Sequence, residues 1–533
     1  MVRAVAIGLD AASSVLIRRL VDEGRLPTLE RCGAHRAAPV GFPWVYRAEL
    51  AWTRALGAGD GDHRTAVQFD PSTYGVMSGT AGVITPFGID TVAAPSLVFD
   101  VPHLALLERE SIVHVVGWGA HSPLSSRAAH PAGLLDTIDR RFGPHPAVGV
   151  DDQPAWCDPP YRRALVDALI AGADRRVDVL EWLLARYPNT EILVTAFSEL
   201  HSAGHALWHE VDDAHPLHPI AVAGGAAGDR GLVAVYEAVD RALGRLLDLL
   251  GEDPVVVLFS PQGMQSNGND VAGQLLVPEL LHRLQFGSEY LHDVRSQTVR
   301  ADGLPLVPAQ HQRLSDMLSR RRRPNKARRV LGAVRSSAGY LQKRENPCLE
   351  RGRLVPVAPA EGAKVHLGVG YQVPVWYTPR WPFSEVFALP TFSDAHLRLN
   401  VCGREAYGVV PAGRYTAALG RLERTLTQCR NPRTGAPLFS SFHRTRSHAD
   451  ADGPPADLVA RTLTVTDALT HPDVSRIGPY PYIRTGEHTE HGWFVRVPGH
   501  GPISTTRTVG SVPDLAAMGS AISRLLTIGV NPP

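Results

Sequence analysis

Two histidines spaced four residues apart carry the first suggestion of chemistry: His201 and His205, within Phe197-Ser-Glu-Leu-His201-Ser-Ala-Gly-His205. On a helical turn this spacing puts both imidazoles on one face, as zinc ligation requires. Glu199, two residues earlier, could orient one ring or act as a base. Histidines at this spacing also serve as caps and hydrogen-bonding groups, so spacing alone leaves both readings open. A second segment, Arg484-Thr-Gly-Glu-His488-Thr-Glu-His491-Gly, places His488 in a glycine-bounded turn before an apolar run. His488 could complete a three-histidine site with an open fourth position, or sit in a polar surface turn. Asp10 closes the first apolar run of the chain, where a carboxylate can bind a metal or cap the helix that follows.

These residues need elements to hold them. Apolar runs at 3–9, 111–117, 190–197 and 254–260 predict strands, and amphipathic patterns at 161–186 and 231–250 predict helices. A further helix is expected from Ser13 to Glu23, closed by Gly24. Strands alternating with helices imply an α/β fold, a doubly wound, mostly parallel sheet flanked by helices. Ligands of such sheets bind outside the carboxyl ends of the strands. Those ends are Asp10, Trp118–His121, Glu199–His205 and Pro261–Gln262. His121 and Ser122 could contact substrate in the same crevice, or form a structural turn.

The chain changes character after about residue 295. A basic segment at 318–344, with four arginines at 320–323, precedes a proline- and aromatic-rich stretch at 373–383. It reads either as a solvated basic insertion or as a cap that attracts an anionic substrate. Strand-like alternation returns at 395–401 and 492–497. The expected organisation is therefore a core from 1–294, an insertion or cap at 295–385, and completion of the core at 386–533 with the third histidine.

Composition excludes several classes. The 533 residues are 44% hydrophobic and 20% charged, which rules out wholesale disorder. With 54 basic and 53 acidic residues the net charge is +1, so no global field draws the chain to nucleic acid or membrane. Nucleic acid as a partner is further disfavoured by the lack of aromatics interleaved in the basic segment. No stretch approaches a membrane span, and no signal-peptide pattern opens the chain. Five scattered cysteines form no CxxC motif, so a reducing, cytoplasmic setting is the simplest expectation. No Walker or dinucleotide glycine loop is present, which argues against kinase and dehydrogenase readings.

Four segments in order carry a resemblance: GLDAASSVLIRRLVDEGRLPTLERC (8–32), the strand with its His-x-x-x-His continuation, FSPQGM (259–264) and RTGEHTEHGWFV (484–495). Together they resemble the alkaline phosphatase superfamily, and within it the type I phosphodiesterase/nucleotide pyrophosphatase branch. That resemblance implies two metal ions on a doubly wound α/β sheet. One set of ligands corresponds to His201, His205 and His488, with a histidine where the family has an aspartate. The other corresponds to Asp10, the nucleophile and an Asp-His pair, which here reads Pro261-Gln262. Proline offers no ligand and the glutamine amide is a poor one. The family's Thr or Ser nucleophile falls near Ala48 or Glu49 in RAELAWTRALG (47–57), so Glu49 is a candidate nucleophile, base or ligand, or an exposed glutamate at a helix start. The segment at 397–405 also resembles the family, where Arg398 could grip a phosphate or sulfate, or be structural.

The expectation is a metal-dependent hydrolase or group transferase. Its substrate would be a small phosphodiester, nucleotide conjugate or related phosphoryl or sulfuryl ester. It would carry a mononuclear three-histidine site holding one divalent metal, zinc by its nitrogen ligands. Asp10, Glu49 and Glu199 are the candidate catalytic groups, and His121, Ser122, Gln262 and Arg398 the substrate contacts. The competing expectation is a catalytically silent binding protein that keeps the fold and a structural metal.

Overall fold

The computed structural model describes residues 2–42, 51–56, 67–78, 94–119, 127–151, 157–223, 231–291, 303, 372–391, 394–447, 449, 454–500 and 512–530. Glu49, His121, Ser122 and the basic segment 318–344 lie outside them.

The apolar runs become the strands Ala4–Leu9, Ile112–Val116, Ile192–Phe197 and Val255–Ser260. They join a sheet of eight strands, completed by Pro39–Val40, Ser96–Phe99, Ala128–His130 and Gly492–Arg496. Val255–Ser260, Ala4–Leu9, Ile192–Phe197, Ser96–Phe99 and Ile112–Val116 run parallel in that spatial order. Antiparallel strands flank them on both sides. The fold is thus α/β with a mostly parallel sheet.

Its central strands are almost wholly apolar, with polar exceptions such as Thr195, Ser260 and His114, because both faces are covered. Val5, Ile7 and Leu9 face one cluster, with side chains of the helices Ser14–Asp22, Pro159–Arg186 and Leu232–Leu250. Ala4 and Ala6 face the other, with Trp52 and residues of Leu515–Val530. The helix after the first strand is capped by Ser13, whose hydroxyl accepts from Leu16 N, so Asp10 is not the cap. Asp240 reaches from Leu232–Leu250 to accept from the amides of Thr28 and Leu29, satisfying open donors of a short helix at Pro27–Arg31.

The chain forms two compact units: Met1–Ala66, Gly79–Asn267 and Arg484–Pro533 make one, and Val67–Ser78 with Gly268–Ile483 make the other. These limits differ from the expected breaks near 295 and 385. The alternating run at 395–401 does not return to the parallel sheet. Ala395–Leu399 pairs antiparallel with Val386–Leu389 and Leu458–Thr462 in a separate four-stranded sheet of the second unit. A period of two fixes a strand but not the sheet it joins. The core resumes at Arg484, in time to carry His488.

Cys32, Cys157 and Cys429 are free thiols, and Cys402 is disulfide-bonded, which five scattered cysteines did not foretell. Among the described residues no helix is long and apolar enough to cross a membrane.

One buried side chain gives the fold a pH dependence. Burial, with His130 nearby, lowers the His114 imidazole to about 4, and its Nδ1 accepts from Leu107 N at 3.0 Å. The folded state therefore favours the neutral ring. The resulting stability is complete above the unfolded value near 6.5 and drains away as the pH falls through 4. At about 1.36 kcal/mol per pH unit the loss should approach 3 kcal/mol. Urea unfolding at pH 7 and pH 4 should show it, and His114→Asn, which keeps an acceptor but cannot charge, should flatten the dependence.

Candidate metal centre

The helix Glu199–Leu207 starts directly beyond the strand Ile192–Phe197, and its i,i+4 spacing aligns His201 with His205. The third imidazole comes from the short strand Gly486–His488. That strand pairs antiparallel with Met264–Ser266, which sets Met264 opposite His488. Thr485 N donates to His205 O at 2.7 Å and Asn267 N to Thr485 O at 2.9 Å, so the ribbon is tied to both the helix and the core.

Two glycines allow the approach. A Cβ on Gly486 would lie 2.2 Å from Gly204 O and 2.9 Å from Trp208 Cβ. A Cβ on Gly204 would lie 2.8 Å from Met264 Cε. The backbone oxygen cannot yield as a flexible side chain can, so Gly486→Ala should push the ribbon away from the helix. A cost of about 1–3 kcal/mol is expected from overpacking, with zinc affinity falling by about tenfold or more. Competition against a chromogenic chelator measures the second effect, and unfolding in EDTA the first.

The three rings converge. His201 Nε2 lies 3.1 Å from His488 Nε2 and 3.1 Å from His205 Nε2. The rings of His201 and His488 stack at 8°, while His205 stands nearly perpendicular to both. His205 Nδ1 donates to Gly486 O at 2.7 Å, because a carbonyl can only accept. Its Nε2 is then the unprotonated nitrogen, the form a metal ligand needs. Tetrahedral zinc with bonds of 2.0–2.1 Å separates its nitrogen ligands by about 3.3 Å, close to the spacing here. Among the described residues this is the group of three or more His, Cys, Asp or Glu side chains placed to hold a metal ion.

The other expected site residues are placed differently. Asp10 is not in this group. It is buried, and its Oδ1 accepts from Trp52 Nε1 at 2.7 Å. Glu199 turns away from the imidazoles into a buried ionic network. Its Oε1 receives Arg176 at 3.0–3.1 Å and His145 Nε2 at 3.1 Å, and Arg176 also meets Asp100 at 2.9 Å. Asp100 in turn accepts from the amides of Trp118 and Gly119. Burial alone would raise the Glu199 carboxyl, but Arg176 and His145 outweigh it and hold the group at about 2. Glu199, expected as a base, is thus held by Arg176 and His145 at the helix start.

Gln262 is buried in the turn after Val255–Ser260, where its backbone carbonyl accepts from Ser260 Oγ at 2.7 Å. Arg398, expected as a substrate contact, is placed apart from the three imidazoles. It lies in the second unit, ion-paired with Glu405, donating to Pro455 O and stacked over Phe69 at 4.7 Å. Burial pushes it down to about 10, with Glu405 opposing. Arg404 and Asp457 close the same network.

Sequence reasoning passed over Trp52, Arg176, His145 and the clearance glycines. His145 is the most cryptic: a Cβ on Gly119 or Gly172 would fall 2.4 or 2.3 Å from its ring. Neither contact has a signature in local sequence.

Residues 73–337 match the family described as Type I phosphodiesterase / nucleotide pyrophosphatase. Among solved structures, phosphonoacetate hydrolase from Sinorhizobium meliloti 1021, in complex with phosphonoformate, is 13% identical. The match covers 99% of this chain and 96% of that one, with a TM-score of 0.43. Human ectonucleotide pyrophosphatase / phosphodiesterase 5 is 9% identical over 98% and 95%, with a TM-score of 0.42. The murine protein is 11% identical over 98% and 95%, with a TM-score of 0.39. No curated protein sequence matches. Over residues 73–337 the chain is thus similar to the type I phosphodiesterase / nucleotide pyrophosphatase family.

Proposed function

We propose that this protein is a metal-dependent hydrolase or group transferase. Its substrate is a small phosphodiester, nucleotide conjugate or related phosphoryl or sulfuryl ester. The convergence of three Nε2 atoms from His201, His205 and His488 carries this reading. These residues would hold one zinc-like ion, which when bound supplies Lewis-acid polarisation of the ester and acidifies a bound water. The chain's own contribution is to fix the imidazoles. Gly486 O sets the tautomer of His205, and Met264 holds the ribbon that delivers His488. Glu49 is proposed as the carboxylate that serves as base or nucleophile.

Protein purified without chelators should contain zinc and cleave bis(p-nitrophenyl) phosphate, a nucleotide p-nitrophenyl ester or p-nitrophenyl sulfate. EDTA should abolish turnover, and added zinc restore it. A zinc-loaded protein that turns over none of these esters would favour the silent binding protein instead.

A further inference from the structure

The family resemblance implies a second metal at the carboxyl ends of the first strand and Val255–Ser260, built on Asp10. Among the described residues, those at these strand ends do not fit one. We infer that Asp10 is the buried anchor of Trp52, and that the Asp10–Trp52 pair stands where a second metal would be held. This rests on the one-metal reading above and specifies what replaced the other site.

Four observations support it. Trp52 Nε1 donates to Asp10 Oδ1 at 2.7 Å, with Trp52 1% and Asp10 2% exposed. An indole nitrogen is a donor only, so Asp10 Oδ1 is the acceptor that keeps this buried N–H satisfied, and a cation on the same carboxylate would compete with the indole for its charge. The indole is wedged: a Cβ on Gly8 would lie 2.4 Å from its Cη2, and Phe259 meets it edge-on at 5.7 Å. It therefore cannot swing aside without displacing the sheet face it packs on. The opposing strand end is also committed. Ser260 Oγ accepts from Ala12 N at 3.2 Å and donates to Gln262 O at 2.7 Å, and Pro261 has no side-chain donor atom. What would have been a cation site is a hydrogen-bonded seam between two strand ends.

Zinc uptake by the full chain and indole NMR test this together. Wild type should take up a single zinc ion per chain, and so should Asp10→Asn. The Trp52 indole N–H resonance, assigned by its loss in Trp52→Phe, should lie downfield and resist exchange with solvent. It should shift upfield in Asp10→Asn and stay unmoved when excess zinc is added to wild type. Two ions in wild type falling to one in Asp10→Asn would overturn the inference. So would a Trp52 resonance that moves with excess zinc, a readout that stands even if Asp10→Asn does not fold. Wild type that binds no zinc, yet shows the Asp10-dependent indole resonance, would sink the three-histidine reading and leave the anchor in place.

Discussion

Replacing His205 with alanine should strip the metal centre while leaving the fold intact. A zinc site worth about 10–16 kcal/mol over four ligands loses about 3 kcal/mol with one of them, a fall in affinity of about a hundredfold or more. His205 should show the largest loss of the three. It contributes a ligand, and its Nδ1 bond to Gly486 O also holds the ribbon that presents His488. The substitution lies inside Glu199–Leu207, where alanine is a good helix former, so unfolding in EDTA should change little. Metal content by plasma mass spectrometry and affinity by chelator competition are the measurements. Equal zinc affinity in His205→Ala and wild type would place the metal elsewhere or nowhere.

Arg176→Met should be the most destabilising change in the core. Arg176 is fully buried between Asp100 and Glu199, with its guanidinium 5.4–5.8 Å from the rings of Phe99, Trp118 and Phe197. Methionine fills much of the volume but leaves two carboxylates in the interior without their cation. Removing one partner of such a network costs about 3–5 kcal/mol. The pH dependence gives a second readout. In the wild type the depressed Glu199 carboxyl contributes stability that is present above about 4.5 and lost as the pH falls towards 2. In the variant the sign reverses, because a buried carboxylate without its cation gains by taking up a proton. Urea unfolding should show the deficit at pH 7 and a partial recovery at pH 5. A deficit independent of pH would mean that packing, not charge, is what Arg176 supplies.

The parallel sheet was legible in the chain because its central strands are buried on both faces and read as nearly continuous apolar runs. Ser96–Phe99 escaped notice, since four residues between Pro95 and Asp100 make too short a run to separate from a loop. His201 and His205 were legible because their relation is local: one helical turn fixes it. His488 was marked only by its glycine-bounded turn and its place in the motif order.

Tertiary structure decided the rest. Glu199 looked like a base because a carboxylate two residues from a ligand histidine is well placed for it. Its partner Arg176 lies 23 positions upstream on another helix, and no local pattern announces that pairing. Arg398 looked like an anion grip, but Glu405 and the Arg404–Asp457 pair fill its surroundings once the second sheet forms. Asp10 kept the residue type of a ligand and became the acceptor of an indole 42 positions away. Sequence by itself determined which side chains have donor atoms and which neighbours share a helical face. Which of those atoms were left facing a metal, and which were neutralised by a partner, depended on long-range packing, because a carboxylate or guanidinium in the interior must be paired wherever the fold supplies a partner.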